Sequence, residues 1–163
     1  MYKNKESGIS LITLTVAIIL LIIITSMLIY NAQTGTKLKG LNEMYNDIAI
    51  LTDKINVYYS NYGAIPANIE YTNTNAIQQI KDSGQLSPND NDVYYVIDLS
   101  AIGNLTLTYG LEYKNITKEN ANQKEDIYII NEQSHHVYYV LGITFDNATY
   151  YTNELEDNVE LYY

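Results

Sequence analysis

From Ile9 to Tyr30 the chain runs without a single charged residue, and Ile and Leu dominate the stretch. As a helix rising about 1.5 Å per residue, such a run reaches roughly 33 Å, enough to cross a hydrocarbon core about 30 Å thick. The segment therefore predicts a membrane-spanning helix. A secretory signal peptide fits poorly, because its apolar core is shorter and it ends in a small-x-small cleavage site. The best candidate here, Tyr30-Asn31-Ala32, puts a bulky ring where a small residue is needed. A core helix apolar on every side would need two or three partner helices, which the rest of the sequence does not supply. Lys3 and Lys5 precede the span and Lys37 and Lys39 follow it, so the acidic remainder sets the expected orientation, N-terminus inside. Ser10, Thr13, Thr15, Thr25 and Ser26 are tolerable in lipid because their hydroxyls bond the helix's own carbonyls or a neighbouring helix.

At 163 residues the chain is one domain, or one domain with an appendage. Nine Lys+Arg against nineteen Asp+Glu give a net charge of −10, which repels phosphate backbones and argues against nucleic-acid binding. With no Cys there is no disulfide, thiolate metal site or cysteine nucleophile. Eighteen Tyr beside one Phe and no Trp suggest half-buried sheet surfaces, where rings pack and hydroxyls stay wet.

Beyond Tyr30, apolar residues recur at Leu38, Leu41, Tyr45, Ile48, Leu51, Ile55, Tyr58 and Tyr62 in steps of three and four, the period of an amphipathic helix. Lys39, Asn42, Asp47, Asp53 and Lys54 fall mostly between them. Gly35 and Gly40, at about 1 kcal/mol each relative to Ala, are expected to bend or loosen the join. Gly63 and Pro66 mark the helix end near Tyr62, so Ile9–Tyr62 would be one helix of roughly 80 Å. Further on, 93–98, 105–109, 127–130 and 137–141 are short β-branched and aromatic runs that read as strands, the last two joined at hairpin length by 131–136. Asn75–Lys81 reads as a short helix closed by Gly84, and 87–92 as a turn. A long helix followed by consecutive strands predicts an α+β domain in which an antiparallel sheet packs on the distal half of that helix.

These residues resemble the type IV pilin and pseudopilin superfamily, most closely the pilin-like proteins of Gram-positive bacteria. Three features carry the resemblance: the basic leader ending in Gly8 before Ile9-Ser-Leu-Ile-Thr-Leu, the apolar segment running into an amphipathic helix, and Tyr58-Tyr-Ser-Asn-Tyr-Gly-Ala-Ile-Pro66. The match covers about the first third of the chain. It implies a leader (1–8), a transmembrane and polymerisation helix (9–30) and an extracytoplasmic pilin-like domain (31–163). It further implies prepilin peptidase cleavage between Gly8 and Ile9, N-methylation of Ile9, and assembly into a filament through the N-terminal helix. The implied partners are other pilin-like subunits, the peptidase, the assembly platform and ATPase of the machine, and the membrane. The machine would serve secretion, as in type II systems, DNA uptake or adhesion at the cell surface. Loss of the leader removes two lysines and one glutamate, taking the net charge from −10 to −11.

The family commonly places a glutamate at the fifth mature residue, to pair with a neighbour's N-terminal amine, and here that position is Thr13. A hydroxyl accepts a hydrogen bond from an ammonium but does not neutralise it, and an unpaired charge in hydrocarbon is costly. The resemblance thus points to a minor subunit rather than the main shaft.

No residue set demands catalysis or a cofactor. His135 and His136 are adjacent and would point apart on a strand, with no Cys or carboxylate trio to complete a metal site. Ser134 beside His135 lacks a glycine elbow, and adjacency in sequence does not give triad geometry. Asn89-Asp-Asn-Asp92 is oxygen-rich, making Asp90 and Asp92 calcium candidates. It lacks the spacing, glycine and closing glutamate of an EF-hand, and an ordinary turn is favoured. The glycosylation patterns at Asn104, Asn115 and Asn147 are short enough to arise by chance in an asparagine-rich chain. The acidic cluster Glu154, Glu156, Asp157 and Glu160 reads as a solvated surface. The chain is expected to be a non-enzymatic, membrane-anchored filament subunit. The alternative is a single-pass surface protein whose β domain binds a ligand or partner.

Overall fold

A computed structural model of the chain describes residues 11–86, 92–103 and 105–153, without the side chains of 11–13, 31 and 115. Helix α1 (Leu11–Tyr62) is followed by β1 (Ala67–Glu70), α2 (Thr74–Asp82), β2 (Tyr94–Ile97), β3 (Tyr128–Asn131), β4 (Val137–Tyr139), β5 (Ile143–Phe145) and β6 (Ala148–Tyr150). Short 3-10 helices at Leu111–Asn115 and Ala121–Gln123 lie between β2 and β3. The architecture is α+β: one long N-terminal helix and a small antiparallel sheet. The chain divides into two compact units, the first ending at Thr36 and the second beginning at Lys37.

In the first unit the described residues are helical, and the large apolar side chains from Leu14 to Tyr30 are each at least half exposed. In the second unit α1 changes character. Leu41, Met44, Ile48, Leu51 and Ile55 are buried in steps of three and four, while Val57 and Tyr62 face out. The stripe expected from the periodicity is present. It is centred on Met44 and Ile48, with Leu38 and Tyr62 exposed at its ends. Gly63 closes the helix in a left-handed conformation (φ 67°), its N–H donating to the Tyr59 carbonyl at 2.8 Å, as a C-terminal cap requires. Gly40, expected to loosen the helix, lies within it. A Cβ there would sit 3.1 Å from the Tyr109 hydroxyl, so the glycine admits a close neighbour.

Strands β1 to β4 form a four-stranded sheet in sequence order, every pair antiparallel. Period-two alternation sends Tyr95, Ile97, Tyr128, Ile130, Val137 and Tyr139 toward the α1 stripe. It sends Tyr94, Val96, Ile129, Tyr138 and Val140 to a second core with Tyr71, Ile80, Leu86, Ala121 and Tyr151. Both faces are therefore covered. Tyr94 and Tyr138 are buried more fully than the expected wet half-surface, because α2 and the 116–121 segment pack on the face away from α1; Tyr128 and Tyr139 are buried against α1, and Tyr95 is half-buried. Each Val, Leu or Ile buried in these cores contributes roughly 1.5–3 kcal/mol.

Four differences from the sequence reading have local causes. Residues 105–109 form no strand, since the amides of Thr108 and Tyr109 are taken by a side chain of α1. Strand β1 was not expected. It follows Pro66 and carries a bulge between Ala67 and Ile69, both signs of an edge strand. Hairpin β5–β6 was also not expected. It turns through Asp146 and Asn147, both at positive φ (47° and 65°), the geometry of a two-residue hairpin loop. The strand expected at 137–141 stops at Tyr139, and Gly142 follows at φ 65°. Helix α2 agrees with expectation, with the Asn73 side chain accepting from the Ala76 N–H at 3.2 Å and Gly84 left-handed past its end. The turn expected at 87–92 lies outside the described residues except for Asp92.

Gly110 provides a test of this packing. It sits at φ 76°, and a Cβ would fall 2.5 Å from the Tyr128 ring. Gly110→Ala is expected to cost about 2–5 kcal/mol, combining left-handed strain with overpacking. Gly63→Ala, also left-handed but with open space around it, is expected to cost about 1–2 kcal/mol. Denaturant unfolding of the two variants measures the difference.

Candidate functional site

Two regions carry the features from which a function can be argued: the uncovered apolar part of α1 and the carboxylate-pinned surface of the second unit. Residues 14–62 include one helix window with mean hydropathy 2.4 and none of it buried, long and apolar enough to cross a membrane. Leu20, Leu21, Ile22, Ile23 and Ile24 are between half and two-thirds exposed, and each such residue left in water forgoes roughly 1.5–3 kcal/mol. The Thr25 hydroxyl donates to the Leu21 carbonyl at 2.7 Å and the Ser26 hydroxyl to the Ile22 carbonyl at 2.8 Å, which satisfies both inside the helix. Gly8 and Ile9, where processing is expected, lie outside the described residues, as do Ser10 and the side chain of Thr13.

In the second unit the central polar group is Asp47, 1% exposed on the inner side of α1. Its Oδ2 accepts from the Thr108 N–H at 2.8 Å, the Tyr109 N–H at 2.9 Å and the Tyr128 hydroxyl at 3.0 Å. One carboxylate thus ties the helix, the long β2–β3 connection and strand β3. Asp126 repeats the device beside it. Its Oδ1 accepts from the Gly110 N–H at 2.7 Å and the Tyr139 hydroxyl at 2.9 Å, and its Oδ2 from the Leu111 N–H at 3.1 Å. Glu112 completes the set, accepting from Lys124 Nζ at 2.8 Å and from the N–H groups of Glu125 and Asp126. Lys124 holds the Glu112 carboxyl below its ordinary pKa, chiefly through that hydrogen bond. Burial pushes the phenols of Tyr128 and Tyr139 well up, and the adjacent carboxylates of Asp47 and Asp126 add to it. The arrangement acts as a structural clamp, since each carboxylate gathers donors from separate stretches of the chain.

Sequence reasoning placed Asp47 among the polar positions and did not single out Asp126 or Glu112. One signal was present. Asp47 lies three residues after Met44 and four before Leu51, on the margin of the buried stripe.

The remaining candidates separate. The His135 ring packs on Tyr59, centroids 4.6 Å apart, at a backbone φ of 59°. The Ser134 Oγ accepts from the His136 backbone N–H at 3.4 Å, while the His135 ring packs on Tyr59. Asn131 Oδ1 accepts from the N–H groups of Gln133 and Ser134, building the expected hairpin turn. Asp90 lies outside the described residues, and Asp92 Oδ2 accepts from the Tyr94 hydroxyl at 3.3 Å. Among the described residues no three His, Asp or Glu side chains are grouped as metal ligands. Asn104 and residues 154–163 lie outside the described residues.

Comparison with protein-family models, curated proteins and solved structures finds no match to this chain.

Two tests follow from the clamp. Asp47→Ala strands three donors, each worth about 1–3 kcal/mol if left unpaired, and is expected to destabilise the second unit by about 3–4 kcal/mol; Tyr128→Phe removes one bond to a charged group and is expected to cost about 1.5–3 kcal/mol. Denaturant unfolding of the two variants checks the order. Burial also raises the phenols of Tyr71 and Tyr94 from 10.0 to about 12. In the unfolded chain these groups ionise near pH 10, whereas the folded chain resists, so their stabilisation is complete below pH 10 and is lost as pH rises toward about 12. Unfolding midpoints are expected to be level from pH 8 to 9 and to fall above 10, roughly in step with tyrosinate absorbance.

Proposed function

We propose that this chain is a structural, non-catalytic subunit of a type IV pilus or a type II secretion-like pseudopilus, in a minor rather than a shaft-forming role. One observation carries the reading. A single helix is apolar and uncovered from Leu14 to Tyr30 and one-faced from Leu41 to Ile55, where it packs on an antiparallel sheet. That layout is compatible with a pilin, whose anchor exchanges lipid for the matching helices of neighbouring subunits. Such exchange needs no covalent link, because helices in hydrocarbon associate by packing and by hydroxyl hydrogen bonds. The sequence before the helix supports the same reading, since Lys3 and Lys5 precede Gly8 and the apolar run starts at Ile9. In this reading a prepilin peptidase cuts after Gly8, Ile9 is methylated, and the second unit lies outside the cytoplasmic membrane. Thr13 in place of a glutamate favours the minor role, as an initiating subunit has no forward amine to neutralise.

The second reading is a single-pass surface protein whose sheet domain binds a partner, with the apolar segment as a plain anchor. It is favoured by the long pinned connection between β2 and β3, which a filament spine does not require. Intact mass and N-terminal sequencing of the protein from native membranes distinguish the two. A chain beginning at methylated Ile9 is expected. A chain still beginning at Met1 in cells with active peptidase would remove the filament reading.

A further inference from the structure

The connection from Asp98 to Ile127 is far longer than the roughly 12–15 residues beyond which loops without their own secondary structure become uncommon and are usually functional. Only two short 3-10 helices interrupt it among the described residues. It is held firmly, because Asp47, Asp126 and Glu112 anchor its amides at 108–111 and at 125–126. Within it, Leu105, Leu107 and Tyr109 are half-buried against the α1 core while Thr106 and Thr108 are exposed. That is the period-two burial of a strand. Yet among the described residues Leu105, Thr106 and Leu107 make no backbone–backbone hydrogen bond.

Leu105, Thr106, Leu107 and Tyr109 wall a groove of about 420 Å³, with Leu99, Leu111 and Lys114 among its other lining residues. The Lys114 ammonium lies 5.7 Å from the Tyr113 ring centroid, and among the described residues its charge meets no carboxylate within ion-pair distance. In a chain of net charge −10, a cation with no acidic partner among the described residues, beside backbone that they leave unpaired, is a specific combination.

We propose that Leu105–Leu107, the part of this segment whose amides Asp47 does not take, is an open backbone edge, and that the groove accepts an extended peptide, acidic and apolar at alternate positions, as an added strand. Three requirements select this occupant. The unpaired backbone calls for another backbone with donors and acceptors at strand spacing. The groove's leucines take the apolar side chains that fall on one face of such a peptide, and Lys114 takes a carboxylate from the other. The inference concerns the second unit alone and does not rest on the filament reading.

The test uses the full chain in detergent micelles, with amide hydrogen exchange read residue by residue. One probe is a blocked hexapeptide alternating glutamate with valine. Its counterpart carries lysine in place of glutamate. The acidic peptide is expected to slow exchange at Leu105 or Leu107 by about tenfold or more while leaving Ile129, in the sheet, unchanged. The lysine peptide is expected to have no effect, and Lys114→Glu to reverse the preference. Exchange unaltered by the acidic peptide, equal protection by both peptides, or amides already slow in the chain alone would each overturn the proposal.

Discussion

One helix in this chain carries two kinds of surface. From Leu14 to Tyr30 its side chains are apolar on every face and uncovered, and from Leu41 to Ile55 it is apolar on one face and packed. In water the first part forgoes roughly 1.5–3 kcal/mol at each Leu or Ile, and it is long and apolar enough to cross a membrane, where lipid would supply that contact. The second part needs water on its outer face and a sheet on its inner one.

Within the second unit, the hydrophobic stripe brings the helix to the sheet, and Asp47 sets the register. A buried carboxylate is tolerable only when hydrogen-bonded, and its three donors come from two separate stretches of chain, so a slide of the helix by one turn would strand all of them. Asp126 and Glu112 extend the same chemistry along the β2–β3 connection, which keeps a long irregular segment in place without a strand ladder. The tyrosine excess is part of this design. The rings of Tyr109, Tyr128 and Tyr139 pack at centroid distances near 5 Å, while the hydroxyls of Tyr128 and Tyr139 donate to the carboxylates of Asp47 and Asp126.

Much of this was legible in the sequence where one physical signal dominated. The steps of three and four through Leu41, Ile48, Leu51 and Ile55 gave the buried face of α1, and Gly63 with Pro66 gave its end. The β-branched and aromatic runs at 93–98, 127–130 and 137–141 fall on β2, β3 and β4, three of the four strands of the main sheet. What stayed hidden depended on tertiary partners. Ala67–Glu70 has little strand propensity of its own and pairs only because β2 lies beside it. Leu105–Tyr109 alternates as a strand should, but Asp47 claims two of its amides. Asp47 itself looked like a solvent-facing charge, since nothing local announces donors that lie more than sixty residues away. The clamp was therefore the least legible part, and the apolar segment the most.

The division of the helix between two media is most directly tested by cysteine accessibility, which is clean here because the chain contains no Cys. Leu20→Cys, Ile24→Cys, Val57→Cys and Tyr62→Cys would be placed singly in the full chain in native membranes and exposed to a membrane-impermeant maleimide. The account predicts rapid labelling of Val57→Cys and Tyr62→Cys, and none of Leu20→Cys or Ile24→Cys until the membrane and protein are denatured. Labelling of Leu20→Cys as fast as Val57→Cys in intact membranes would contradict it.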